Sequence, residues 1–178
     1  GNSNRLFLGK KNNLEASILL KFLYVLPDSL ANSVLADSIT VIQAKVRLTK
    51  NYVYGKNDES LPIDFTAHKV NTFWNITSFT EDSLLTLSFD AEDISNDRSF
   101  SDTLYTFNLN NNTALTWMKE AVDTNLTLSY GIYLQPSANS GKIVGFEAFS
   151  QSQTTYATLE TIYERLDGLR DTIYAALI

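Results

Sequence analysis

Short runs of β-branched and aromatic residues, each closed by polar or turn-forming residues, recur along the whole chain. Residues 14–26 (LEASILLKFLYVL) form the first and end at Pro27-Asp28, which favours a turn. Residues 39–50 alternate in their second half, with Ala44, Val46 and Leu48 set against Lys45, Arg47 and Thr49. Tyr52, Val53 and Tyr54 extend that run, and Gly55-Lys56-Asn57-Asp58 closes it. Further runs cover 63–70, 84–90, 103–109, 126–134, 142–149 and 157–163. In the third of these, Thr103, Tyr105, Phe107 and Leu109 share one face. About eight strands at such spacing predict an all-β, antiparallel, jelly-roll-like β-sandwich rather than a βαβ repeat.

One segment breaks the two-residue period. Asn110 to Thr113 supply capping side chains, and Leu115, Met118 and Val122 fall on one face of a helix, with Trp117 and Ala121 beside them. A short helix over about 113–122 is predicted, laid over an open end of the sandwich. The sandwich domain is placed at 1–164. Residues 165–178 (RLDGLRDTIYAALI) read as a C-terminal tail, an edge segment or a link to a further domain.

Composition narrows the chemistry. Asn, Ser and Thr make up 51 of 178 residues, against 19% charged and 12% aromatic, which suits strands with polar outer faces. The 14 basic and 20 acidic residues give a net charge of −6, which argues against nucleic acid as a partner. There is no cysteine, so disulfides, zinc-thiolate sites and thiol nucleophiles are excluded. No run approaches the roughly 18 apolar residues of a membrane helix. The chain starts at Gly1 without a methionine, which fits a sequence trimmed of a signal peptide or lipid-anchor segment.

Catalytic patterns are missing. The sequence has no G-x-S-x-G elbow and no phosphate loop, and one histidine, His68, sits on a mixed strand face in FTAHKV. The ordinary reading of His68 is a hydrogen-bonded or exposed strand residue. Most carboxylates fall in loops, but Glu147 is placed mid-strand between Phe146 and Ala148, as an outward residue, a structural calcium ligand or a catalytic acid. Calcium is the metal that hard oxygen donors would take, with Glu147 and the acid-rich stretch from Asp90 as its candidate ligands; nothing demands a cofactor. Sugar rings stack on exposed aromatics, so Tyr52, Tyr54 and Tyr133 are the candidate ligand-binding residues. Trp117 belongs to the core, and Trp74 is either core or a loop platform.

Taken in order, Ile18 to Phe22 with Pro27 to Leu30, then Ile39 with Ala44 to Leu48, then Val70 and Trp74, form a familiar succession. Asn108-Leu109, Leu115-Thr116-Trp117, Tyr130 to Leu134, Phe146 to Ser150 and Thr158 to Tyr163 continue it. The sequence resembles the DNRLRE-type domain, a carbohydrate-binding-module-like β-sandwich of cell-surface proteins. Departures include the missing second Trp after Trp74 and Ala157 or Thr158 where the family has proline. The resemblance implies a non-catalytic extracellular module on a larger protein or a lipid anchor, with a polysaccharide ligand. The alternative is a structural or adhesive module that packs against neighbouring domains. The resemblance carries over no ligand residue.

Overall fold

The computed structural model describes residues 5–55, 59–75, 78–148 and 157–178. Its spine is one long strand, and the other strands are numbered around it in chain order: β1 (Arg5–Lys11), β2 (Leu14–Ala16), β3 (Ile18–Leu20), β4 (Phe22–Leu23), β5 (Ile39–Val53) and β6 (Phe65–Lys69). The second half adds β7 (Ser95–Phe100), β8 (Leu104–Leu109), β9 (Ile132–Pro136), β10 (Ile143–Glu147), β11 (Thr158–Arg165) and β12 (Arg170–Leu177). A large antiparallel sheet runs β2-β1-β10-β5-β11-β12-β4, with β8 also on β5 and β7 on β8. A small sheet, β3-β9-β6, covers part of it. The predicted all-β antiparallel sandwich is therefore the observed fold.

Two bulges in β5 explain its pattern. Opposite the Ile162/Tyr163 step the register shifts by one residue around Ile42, which is why alternation is clean only from Ala44 onward. A second shift, opposite Gly145/Phe146, pairs Phe146 with Lys50 but Gly145 with Tyr52. Phe146 is fully buried, so Lys50 points inward, and the extra residue turns Tyr52 to the outer face. Between the sheets lie Val46, Leu48 and Phe107 from the large sheet and Phe65, Ala67 and Leu134 from the small one. Phe65 and Phe107 meet edge to face, 5.2 Å between centroids.

Several elements differ from expectation, each for a visible reason. Residues 14–26 are not one strand but three, because the chain passes from the large sheet (β2 on β1) to the small sheet (β3 on β9) and back (β4 on β12). Pro27 begins a helix, α1 (Asp28–Leu35), rather than a turn; Leu30 and Val34, four residues apart, are buried on one face. Residues 84–90 form no strand: α2 (Glu81–Leu84) is a single turn, and only Phe89 bridges to Val70. The 126–134 strand begins only at Ile132, since Gly131 holds φ at +85°. The helix predicted at 113–122 is α3 (Asn111–Val122); the Asn110 side chain accepts from the Asn112 N–H at 2.9 Å, and Ala114, Trp117 and Met118 are buried. There are three helices rather than one among the described residues. Arg165 closes β11, and Arg170–Leu177 pairs along it as β12, between β11 and the short β4, with Ala175 in the core. The end of the 142–149 run and the 55–58 closure reach residues outside those described.

Candidate functional site

The second bulge in β5 builds the most aromatic stretch of the outer face. Across β1, β10 and β5, Phe7, Gly145 and Tyr52 stand in one register row. A Cβ at Gly145 would come within 3.0 Å of the Tyr52 Cβ and 3.2 Å of a Phe7 ring carbon, so the glycine lets both aromatic side chains close over the backbone. The rings meet edge to face at 6.1 Å, and Phe7 and Tyr52 are 36% and 38% exposed. Tyr54, 44% exposed, follows at the strand end, where its N–H donates to the Ile143 carbonyl. Each tyrosine has a cation over its ring: Arg5 at 5.3 Å from Tyr52 and Lys11 at 5.7 Å from Tyr54.

Beside this face opens a groove of about 640 Å³ lined by Lys50, Asn51, Tyr52, Val53, Glu59 and Asp102. Two lysines hold Glu59: Lys50 Nζ donates to its carboxylate at 2.8 Å, and Lys142 Nζ to its main-chain carbonyl at 2.7 Å. The hydrogen bond from Lys50, with the charges of both lysines, sets the Glu59 carboxyl below its ordinary value, against an opposing burial effect. Burial and the nearby Lys50 push Lys142 down, opposed by Glu59 and Asp102. Burial, with Glu59 and Asp102 adding to it, raises the Tyr105 phenol beneath. The groove thus combines an aromatic wall, an amide and two carboxylates: groups that stack on the C–H face of a sugar ring and bind its hydroxyls.

The other sequence candidates disperse. Tyr133 is in β9 of the small sheet, only 8% exposed, packed on Phe89 at 4.9 Å with its hydroxyl donating to Ser17. It is not a surface platform, because Phe89 of the β6–β7 segment and Ser17 cover it on the face opposite Ile132 and Leu134. Glu147 ends β10 opposite Arg5, with Oε2 buried and lacking a hydrogen-bond partner among the described residues. Asp90 is exposed beyond β6, where it accepts from Asn71 at 2.5 Å. Glu147 is on the large sheet and Asp90 in the segment between β6 and β7, and no group of three acidic or histidine side chains among the described residues could hold a metal. His68 is buried, with its ring nitrogens 3.0 Å from the Glu92 carbonyl and 2.7 Å from the Thr66 hydroxyl, a hydrogen-bonded strand histidine.

Phe7, Gly145, Glu59 and Asp102 were not marked as partners of the tyrosines by the sequence pattern. Alternation of Leu6 and Leu8 against Phe7 was the one signal available for the first; the others meet Tyr52 only through strand pairing and loop closure. No helix of the described residues is long and apolar enough to cross a membrane. Comparison of the chain with protein-family models, with curated proteins and with solved structures finds no match.

Proposed function

We propose that the chain is a non-catalytic carbohydrate-binding module, displayed outside the cell on a larger surface protein or a lipid anchor, with a polysaccharide on the Phe7–Tyr52–Tyr54 face. The observation that carries this is the row of exposed rings over Gly145, beside a groove that offers Asn51, Glu59 and Asp102. An open sheet face suits a chain-like ligand, whose successive rings lie along it, better than a small molecule enclosed on all sides. Net charge of −6 favours neutral polysaccharides over polyanions. Calcium has no part in this proposal, since Glu147 and Asp90 do not converge.

Affinity gels cast with neutral glucans, xylans and mannans, run with calcium or with chelator, test it. Retention on at least one gel, unchanged by chelator and lost in Tyr52→Ala, is the expected result. Uniform failure to be retained, or retention untouched by Tyr52→Ala and Phe7→Ala together, overturns it.

A second reading, a structural or adhesive module, is favoured by one feature. Leu166 and Leu169 stand 85% and 65% exposed at the tip of the β11–β12 hairpin, an apolar point offered to a neighbour. Loss of an association with a neighbouring domain in Leu166→Ser would support that role.

A further inference from the structure

The segment between β6 and β7 leaves the small sheet as a closed loop. Its arms are zipped at the base: Asp90 N–H donates to the Lys69 carbonyl, Asn71 N–H to that of Ser88, and Ser88 N–H to the Thr72 hydroxyl. Above this base lies a pocket of about 170 Å³, bounded by Trp74, Phe79, Ser78, Ser83, Thr86 and Leu87 among others. Trp74 is half-buried and fixed: its Nε1–H donates to the Tyr130 carbonyl at 2.6 Å, and Phe79 stands edge-on at 6.0 Å. Phe73, 66% exposed, leans edge-on against Tyr130 at 6.1 Å. Of the two readings of Trp74, loop platform and core, the pocket fits the platform.

We propose that this pocket is a second carbohydrate subsite, one that takes a single pyranose ring, such as a chain end, rather than a stretch of polymer. The choice of ligand class rests on the carbohydrate reading above; the pocket itself is separate from the Tyr52 face. Its lining joins an aromatic wall, Trp74 and Phe79, to hydroxyl-bearing side chains, the two kinds of group a sugar ring meets. An indole held by its own hydrogen bond offers a rigid π surface for axial C–H groups at little entropic cost. Ser78 carries a hydroxyl that both donates and accepts, and the Thr86 hydroxyl, which donates to the Ser83 carbonyl at 3.1 Å, can still accept; the Ser83 hydroxyl is taken up with Thr80 at the start of α2. At about 170 Å³ the pocket has room for one ring, whereas the groove beside Tyr52, about 640 Å³, has room for several.

The chain has two tryptophans, and Trp117 is 4% exposed under α3, so a ligand in the loop pocket reports through Trp74 alone. Glucose, galactose, mannose, xylose and N-acetylglucosamine, with their short α- and β-linked oligomers, are titrated while tryptophan emission and its quenching by acrylamide are followed. A saturable change with at least one sugar is expected, with protection from acrylamide, and it persists in Trp117→Phe; calorimetric titration with the same sugar, which needs no tryptophan reporter, is expected to show binding about tenfold or more weaker in Trp74→Phe. Ser78→Ala, which removes a hydroxyl of the lining and leaves the rings in place, is expected to weaken it as well. Near-ultraviolet circular dichroism confirms that each variant is folded. No response to any sugar while Trp74 remains quenchable, or calorimetric binding undiminished in folded Trp74→Phe, overturns the subsite. Gel retention lost in Tyr52→Ala with a silent Trp74 leaves the module a sugar binder without this pocket. A Trp74 response in a protein that no gel retains leaves the pocket and removes the polysaccharide face.

Discussion

The phenol oxygen of Tyr24 lies 2.5 Å from the hydroxyl of Thr161, inside the core and 137 residues away in sequence. Thr161 is fully buried on β11, and Tyr24, 3% exposed, follows β4, so this bond ties the start of the chain to the centre of the large sheet. Removing either partner strands the other in the core. Tyr24→Phe and Thr161→Val are each expected to lower stability by about 1–3 kcal/mol, and the double variant by clearly less than their sum. Urea unfolding of the four proteins measures the coupling; strict additivity would mean that the pair holds nothing together.

The same tyrosine predicts behaviour in alkali. Burial, only partly offset by the Thr161 hydrogen bond, raises its pKa well above the ordinary tyrosine value of about 10. The folded state therefore keeps a proton that the unfolded chain releases. The stabilisation is complete below about pH 10 and is lost as pH rises beyond it. Urea midpoints of the native protein should fall more steeply between about pH 9 and 11 than those of Tyr24→Phe. Parallel curves would show that Tyr24 ionises as freely folded as unfolded.

Trp117 is the large anchor of α3, 4% exposed in the cluster that also holds Met118 and Ala114. Trp117→Ala is expected to cost roughly 3–5 kcal/mol in thermal or urea unfolding, as truncated core aromatics do. An unchanged melting temperature would remove Trp117 from the core.

Much of the fold was legible where one periodicity ran uninterrupted. Ala44, Val46 and Leu48 in β5 and Tyr105, Phe107 and Leu109 in β8 lie inward as their spacing implies, whereas the buried face of α3 is Ala114, Trp117 and Met118, with Leu115 and Val122 of the predicted stripe only partly covered. What escaped was decided by partners far away in sequence. Residues 14–26 carry one apolar run, yet neighbours as distant as β9 and β12 divide it between two sheets. Tyr133 looks like Tyr52 in sequence, a tyrosine among strand residues; the distant Phe89 packs over one and a bulge exposes the other. The candidate site was half visible: Tyr52 and Tyr54 were, but their setting depends on Gly145, whose importance appears only once three strands are aligned.

Gly131 tests a close approach between strands. It stands at φ +85°, and a Cβ there would lie 2.1 Å from the Leu20 carbonyl oxygen, where β3 and β9 meet. Gly131→Ala combines a disfavoured backbone conformation with a clash against main chain that cannot swing away. A loss of more than about 1 kcal/mol is expected, seen as a lower urea midpoint with the slope unchanged. A neutral substitution would mean that this corner relaxes freely.

Gly145 separates the ligand face from general stability. An added methyl forces Tyr52 and Phe7 to give way by a few tenths of an ångström, at a cost of about 1–3 kcal/mol, while reshaping the aromatic row. Gly145→Ala should therefore remain folded yet lose retention on whichever polysaccharide gel holds the native protein. Full retention would show that the ring arrangement is irrelevant to the ligand.

Asp93 joins the two sheets through one carboxylate. Its Oδ1 accepts from the Ala67 N–H of β6 at 3.0 Å, and from the Ser95 N–H and hydroxyl at the start of β7 at 3.0 and 2.7 Å; Oδ2 meets Arg98. Partial burial pushes the carboxyl up, but these bonds and the Arg98 charge together outweigh it and leave its pKa below the ordinary value. Stability from this group is therefore present above the unfolded value of about 3.9 and lost as pH falls through the lower folded one. Asp93→Asn keeps the shape and removes the charge. Near neutrality it should cost about 1.5–3 kcal/mol, with the two proteins converging in urea midpoint as the medium approaches pH 3. Curves that stay parallel down to that pH would mean that the sheets are held together elsewhere, through the Ile94 N–H on the Ala67 carbonyl and the apolar contacts beneath.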